Sequence, residues 1–298
     1  ITAFIVVGGV AKGIEKVNKV MLPGLFILVI IIAIRSITLK GASEGLKFFL
    51  LPHFNQLSTF EDAKNVLSSA LGQIFFSLNI GIGISITYGS YLQKDSNIPK
   101  NSFVIAGLDT LIALLAGLAI LPAVFAFGFE PAAGPGLIFQ TLPSVFESFP
   151  AGRLFAILFF ALIFFAAITS SISMLEVVTA YFIDTFGVNR KKATIILAII
   201  MGLIGIVSAL SFGPLADFKI FGNNFFDFLS VITDKFLMPL GGIFTCIFVG
   251  HIYKTSQLED EIATGTKSGT FKMKKVFNFL ISWICPILLI IIFLSQLF

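Results

Sequence analysis

The chain has 298 residues, of which 57% are hydrophobic and only 12% charged, with a mean hydropathy of +1.01. A soluble protein of this length carries about a quarter charged residues, so a soluble globular domain is excluded. The net charge of +4 is too small to suggest nucleic acid as a partner. The charges are also clustered: residues 65–93, 193–216 and 276–298 contain no Asp, Glu, Lys or Arg. An apolar helix needs roughly 20 residues to cross the hydrocarbon core, and each of these runs is long enough. The pattern predicts an all-α, polytopic transmembrane helix bundle.

In chain order, residues 1–10 are apolar but cover only about half a crossing. They begin with Ile1 rather than Met and have no basic segment before them, so they are no signal peptide. They read as the end of a span that starts outside this chain. Seven full spans follow, at residues 20–39, 66–92, 103–127, 154–183, 193–212, 228–253 and 276–297. Pro286 should kink the last of them. One set of connections holds Lys12, Lys16 and Lys19, then Lys94 and Lys100, then Arg190, Lys191 and Lys192, then Lys254, Lys267, Lys272, Lys274 and Lys275. The opposite set is poorer, with Lys40, Lys47, Arg153 and Lys219, and with Arg35 and Lys64 near the ends of spans. The richer set is expected on the cytoplasmic side, with the N-terminus inside and the C-terminus outside. The outer connections 41–62 and 128–152 are long enough to fold over the outer face.

Three groups of polar residues stand where lipid would forbid them. Gln73, Ser77 and Asn79 lie near the middle of span 66–92 and are followed by Gly81 and Gly83. Each glycine costs a helix about 1 kcal/mol. The glycines mark either a break, tolerated at membrane depth only where it lines a cavity or binds something, or a close packing contact. The uncharged stretch of 29 residues exceeds one straight crossing and favours a break. Asp109 lies about eight residues into its span, where a central carboxylate costs about 2.5–3.5 kcal/mol. It either faces the bundle interior with a cation or a proton, or reaches water at the cytoplasmic end. Thr169, Ser170 and Ser171, beside Ala166 and Ala167, offer hard oxygens to an alkali cation or small surfaces to a neighbouring helix. Glu176 and Asp184 lie further towards the cytoplasm. Cys246 and Cys285 sit in apolar runs and read as small buried hydrophobes rather than a disulfide or metal ligands. Together these features point to a cation-coupled carrier of a small polar solute.

The same residues resemble the neurotransmitter:sodium symporter family, in particular its bacterial amino-acid transporters. Gly13-Ile14-Glu15-Lys16 with Pro23 resembles the inner end of the fifth helix. The stretch from Gln73-Ile74-Phe75-Phe76-Ser77 to Tyr88-Gly89-Ser90-Tyr91 resembles the unwound sixth, and Asp109 with Ala116-Gly117-Leu118-Ala119-Ile120-Leu121-Pro122 the seventh. Thr169-Ser170-Ser171 resembles the eighth helix and Asp227-Phe228 the tenth. The resemblance implies a LeuT-type inverted-repeat fold. Residues 1–10 are then the end of helix four, and the seven spans are helices five to eleven. Helices one to three, which include the other broken helix of the fold, are expected as partners from outside this chain.

The resemblance also implies roles. Phe76 is an aromatic lid over the substrate, and Ser77 is shared by substrate and a first sodium. Asn79, Ile82, Ser170 and Met174 line a pocket suited to a neutral aliphatic or aromatic amino acid. Asp109 stands where many members have an asparagine sodium ligand, and its fixed charge implies chloride independence. Ala166, Thr169 and Ser170 hold a second sodium. Asp227 belongs to the outer gate, Tyr91 and Asp184 to the inner gate, and Gly13, Pro23, Gly81 and Gly83 mark where helices unwind. Glu176 receives no ligand role. The expected activity is sodium-coupled symport in the cytoplasmic (inner) membrane, with no enzymatic chemistry, and these residues alone are expected to be inactive. A proton-coupled carrier of related fold, with Asp109 or Glu176 taking the proton, is the alternative.

Overall fold

Among the described residues, non-glycine backbone takes left-handed dihedrals at Asn79, Ala151 and Phe221, and Asn79 lies inside an expected membrane crossing. The computed structural model describes residues 1–52, 54, 59–129, 136–147, 151–253, 255–266, 271 and 273–297. Lys254, Lys267 and Lys272 of the basic set, and parts of both long outer connections, lie outside the described residues. In chain order the helices are α1 (Thr2–Val7), α2 (Val10–Ile37), α3 (Ala42–Leu50), α4 (Phe60–Ser77), α5 (Ile84–Gly89) and α6 (Ile98–Ala126). They continue with α7 (Leu142–Glu147), α8 (Gly152–Phe186), α9 (Arg190–Leu210), α10 (Phe225–Ile252), α11 (Thr255–Thr264) and α12 (Lys274–Ser295). Six of these, α2, α6, α8, α9, α10 and α12, are long and apolar enough to cross a membrane. The remaining expected crossing, residues 66–92, is divided between α4 and α5.

The first helices start earlier than the apolar pattern suggests, for a local reason. Gly9 has φ +78°, a dihedral that interrupts the chain after α1, and α2 then opens with a wide π turn over Val10–Glu15. Wide turns add residues without adding an apolar face, so periodicity misses them. Two more lie in α10, at Val231–Leu237 and Phe248–Ile252, and one in α12, at Leu280–Ile284. The last sits just before Pro286. Proline cannot donate to the carbonyl four residues back, and its ring crowds that turn, so a widened turn is a natural accommodation.

The chain forms two compact units. The first comprises Ile1–Phe54 and Gly107–Leu175, the second Asn55–Ala106 and Glu176–Phe298. In the first unit Val29, Ile32 and Ala33 of α2 share one face and bury against Ala119 and Val124 of α6. Leu142 and Phe146 of α7 and Phe159 and Leu162 of α8 complete this core. Lipid tails are as apolar as leucine, so shape fit rather than escape from water drives such packing. The connection after α2 folds back as α3. A Cβ on Gly45 would lie 2.6 Å from the Leu121 carbonyl oxygen and 2.7 Å from the Pro122 Cα, and a Cβ on Gly117 would meet the Phe49 ring at 2.2 Å. Glycine on each side therefore lets α3 lie directly on α6. In the second unit α9 turns Ile195, Ile196 and Ile199 outward, as a lipid-facing helix should.

Gly45→Ala should destabilise the folded chain in detergent by about 1–3 kcal/mol, because the new methyl group meets backbone rather than a yielding side chain. Gly107→Ala, with nothing within 4 Å of the new Cβ, should be neutral or slightly stabilising. Equal thermal shifts for the two variants would contradict this docking.

Candidate functional site

The second unit carries the interrupted helix. A reciprocal cap starts α4: Thr59 Oγ1 accepts from the Asp62 amide, and Asp62 Oδ2 accepts from the Thr59 amide, each at 3.1 Å. The helix ends at Ser77 and resumes at Ile84. Between them Asn79, Gly81 and Gly83 have φ of +51°, +92° and +89°. Asn79 tolerates this region better than most side chains, and its Nδ2 donates to the Ser77 carbonyl at 3.3 Å. The Ile80 amide reaches back to the Phe75 carbonyl at 3.0 Å, closing the last turn. Gly81 is pressed onto α10. A Cβ there would lie 2.2 Å from the Met238 carbonyl oxygen and 2.9 Å from the Gly242 nitrogen, and one on Gly241 would lie 2.4 Å from the Gly81 oxygen. The glycines thus serve both a break and a packing contact. Phe76 is exposed in the last turn of α4, and Ser77, Asn79 and Ile82 are half-buried.

In the first unit Thr169 Oγ1 donates to the Ala166 carbonyl at 2.9 Å, and Ser171 Oγ to the Ile168 carbonyl at the same distance. Two hard oxygens, the Thr169 hydroxyl and the Ala166 carbonyl, therefore sit side by side on one turn of α8. That donor chemistry fits an alkali cation. Ser171 also bonds Thr2 of α1 at 2.7 Å, so its hydroxyl joins helices. Ser170 and Met174 are exposed on α8, and Asp109 is half-buried on α6. Gly13 is fixed by packing in the same unit, since a Cβ there would lie 2.1 Å from the Ile5 carbonyl oxygen. Pro23 lies inside α2.

The most constrained charge is Glu176, fully buried at 0% exposure. Tyr91, just beyond α5, donates its hydroxyl to Glu176 Oε1 at 2.7 Å, and Arg190 at the start of α9 forms an ion pair with Oε2. One carboxylate thereby ties together the end of the interrupted segment, α8 and α9. The sequence gives Glu176 no ligand role, only that of a proton carrier in the alternative, and Arg190 only a place among the basic residues that mark the membrane side. The available signal was the turn after Phe186, short enough to return α9 beside α8. Asp184, grouped with Tyr91 in the sequence, is exposed, and the Tyr91 hydroxyl goes to Glu176. Asp227 is exposed at the start of α10, where it exchanges two 2.8 Å hydrogen bonds with Asn224. Asp234 and Lys235, in a wide turn of α10, also escaped the sequence reading. Asp234 borders a cavity of about 60 Å³ lined by Phe75, Phe76, Met238, Pro239 and Ile292.

Glu176→Gln keeps an acceptor for Tyr91 but leaves Arg190 facing a neutral group. It should cost about 2 kcal/mol of stability, the range for a hydrogen bond to a charged partner. Asp184→Asn, on the exposed side of the same helix, should stay within about 0.5 kcal/mol. Thermal unfolding of both variants in detergent checks this, and a larger loss for Asp184→Asn would contradict it.

Residues 1–298 match the Sodium:neurotransmitter symporter family. A sodium-dependent transporter of Bacillus subtilis, YhdH, is 42% identical over 295 residues, covering 99% of this chain and 64% of that protein. A sodium-dependent transporter of Haemophilus influenzae is 38% identical over 291 residues, covering 97% of this chain and 62% of its own length. The crystal structure of MhsT in complex with L-phenylalanine superposes with a TM-score of 0.86 at 43% identity, covering 99% of this chain and 65% of that one. The chain thus spans somewhat under two thirds of the length of these proteins. The all-helical fold expected from the sequence is the one shared with MhsT, and the apolar helices are those of an integral membrane protein. The chain belongs to the sodium:neurotransmitter symporter family.

Proposed function

We propose that the chain works within a secondary active symporter that moves a neutral, hydrophobic or aromatic amino acid across the cytoplasmic membrane with sodium, by alternating access. The observation that carries this reading is the helix interrupted between Ser77 and Ile84, within the expected crossing at residues 66–92. Non-helical backbone at that depth is tolerated only where it is packed in protein or lines a cavity. Support comes from the 43% identity to a protein crystallised with L-phenylalanine. In the second unit, Phe76, Ser77, Asn79 and Ile82 take substrate-facing roles, with Ser77 also serving a first sodium. In the first unit, Asp109 takes a sodium-ligand role, Ala166, Thr169 and Ser170 hold another sodium, and Ser170 and Met174 take substrate-facing roles. Helices one to three of the fold would supply the remaining ligands, so these 298 residues alone are inactive in this reading. Asp227 acts at the outer gate. Tyr91 acts at the inner gate through Glu176 and Arg190, with Asp184 nearby in sequence. The residues numbered here as helices four to eleven run from an inner N-terminus to an outer C-terminus, in keeping with the basic residues between spans.

Sodium binding favours the outward-open, substrate-competent state, and opening of the inner end releases both solutes. Chloride is not required, because the Asp109 carboxylate supplies the negative charge that a chloride would bring beside the first sodium.

In vesicles holding a transporter of the relatives' full length that carries this chain, an imposed sodium gradient should drive amino-acid uptake, with or without chloride. Asp109→Asn should make uptake chloride-dependent. Uptake driven by a pH gradient alone would favour the proton-coupled alternative, and chloride dependence of the unaltered protein would refute the role given to Asp109.

A further inference from the structure

Cys246 and Cys285 lie far apart in sequence, yet the seam between α10 and α12 sets them in register. Near the outer end of that seam Phe236 meets Phe293 edge to face, with ring centroids 6.1 Å apart. Further along, a Cβ on Gly242 would lie 3.4 Å from Leu289 Cδ1. Beyond the cysteines, a Cβ on Gly250 would lie 2.9 Å from the Cα of Ser282, whose hydroxyl donates to the Gly250 carbonyl at 3.4 Å. His251 meets Trp283 at 5.7 Å on the same side. These contacts define one antiparallel register. Four residues on from Gly242 stands Cys246, and four more reach Gly250. Four residues back from Leu289 stands Cys285, and three more reach Ser282. Contacts on either side bracket the pair, so in this register the two cysteines lie opposite one another between the two glycine contacts. Both are half-buried free thiols.

Helices normally pack with axes about 8–10 Å apart, whereas a disulfide needs Cα atoms within about 4.4–6.8 Å. Small residues at a membrane seam permit the closer approach. Gly242 and Gly250 flank this rung, and at Gly250 the two backbones come almost into contact.

We propose that Cys246 and Cys285 form a redox-closable thiol pair, a modification site at which an apolar two-electron oxidant joins α10 to α12 by a disulfide. Each sulfur gives up its hydrogen, one S–S bond forms, and two protons and two electrons leave. With molecular iodine as oxidant, one thiol becomes a sulfenyl iodide with loss of hydrogen iodide. The second thiol then displaces iodide and releases its proton. Both thiols lie within apolar helices, so the site selects oxidants that partition into lipid. Once closed, the bond holds the helix that carries Met238, Gly241 and Gly242, the seat of the interrupted segment, against α12.

The test exposes a full-length transporter carrying this chain, reconstituted in lipid vesicles, to molecular iodine, followed by quenching, denaturation in detergent and peptide mapping. A single cross-linked peptide pair joining Cys246 to Cys285, released by a thiol reductant and absent from Cys246→Ala and Cys285→Ala, is expected. Two free thiols after iodine, two separately oxidised sulfurs, or a disulfide between two chains would each overturn the proposal.

Discussion

The interrupted segment depends on a backbone-to-backbone contact between Gly81 and the stretch Met238 to Gly242 of α10. A helix that stops inside a membrane releases amide and carbonyl groups that lipid cannot satisfy, at a cost of several kcal/mol for each group left bare. Gly81 approaches so closely that any side chain there would overlap the Met238 carbonyl, and Gly241 is equally constrained from the other side. The left-handed dihedrals at Asn79, Gly81 and Gly83 then follow from turning the chain within that narrow space. Without the paired glycines the two backbones could not meet, and continuous helix would be the cheaper state.

A second constraint holds the far end of the same segment. Glu176 is completely buried, and an unpaired carboxylate there would be untenable. Tyr91 and Arg190 both bind it, so the chain leaving α5 is held to α8 and α9 through one anion. The segment is therefore fixed at one end by glycine packing and at the other by charge. Charge contacts of this kind can exchange partners, which suits the inner gate in the proposed cycle, whereas the glycine contact is steric and suits a fixed seat.

The features legible in the sequence were those that break a rule within a short window. Polar Gln73, Ser77 and Asn79 followed by Gly81 and Gly83 offer a break or a packing contact, and the excess length of that run favours the break. Long apolar runs gave the helical spans for the same reason. What stayed hidden depended on partners distant in sequence. The choice offered at Gly81, break or packing contact, had no single answer, because α10 supplies the surface that makes both true. Arg190 looked like one more basic residue in a loop, since nothing local shows a guanidinium reaching fourteen residues back to Glu176. The wide turns in α2, α10 and α12 shift the apolar face without changing composition, so helix starts and the charged Asp234 and Lys235 escaped notice.

The central claim is that the segment from Leu78 to Gly83 binds substrate together with sodium. Amide hydrogen exchange across that segment, in a full-length transporter carrying this chain, tests it most directly. Exchange at Asn79 to Gly83 should slow markedly when sodium and a neutral amino acid are both present, and less with either alone. Bound amino acid, demonstrated in the same sample, with exchange in this segment unchanged would contradict the account.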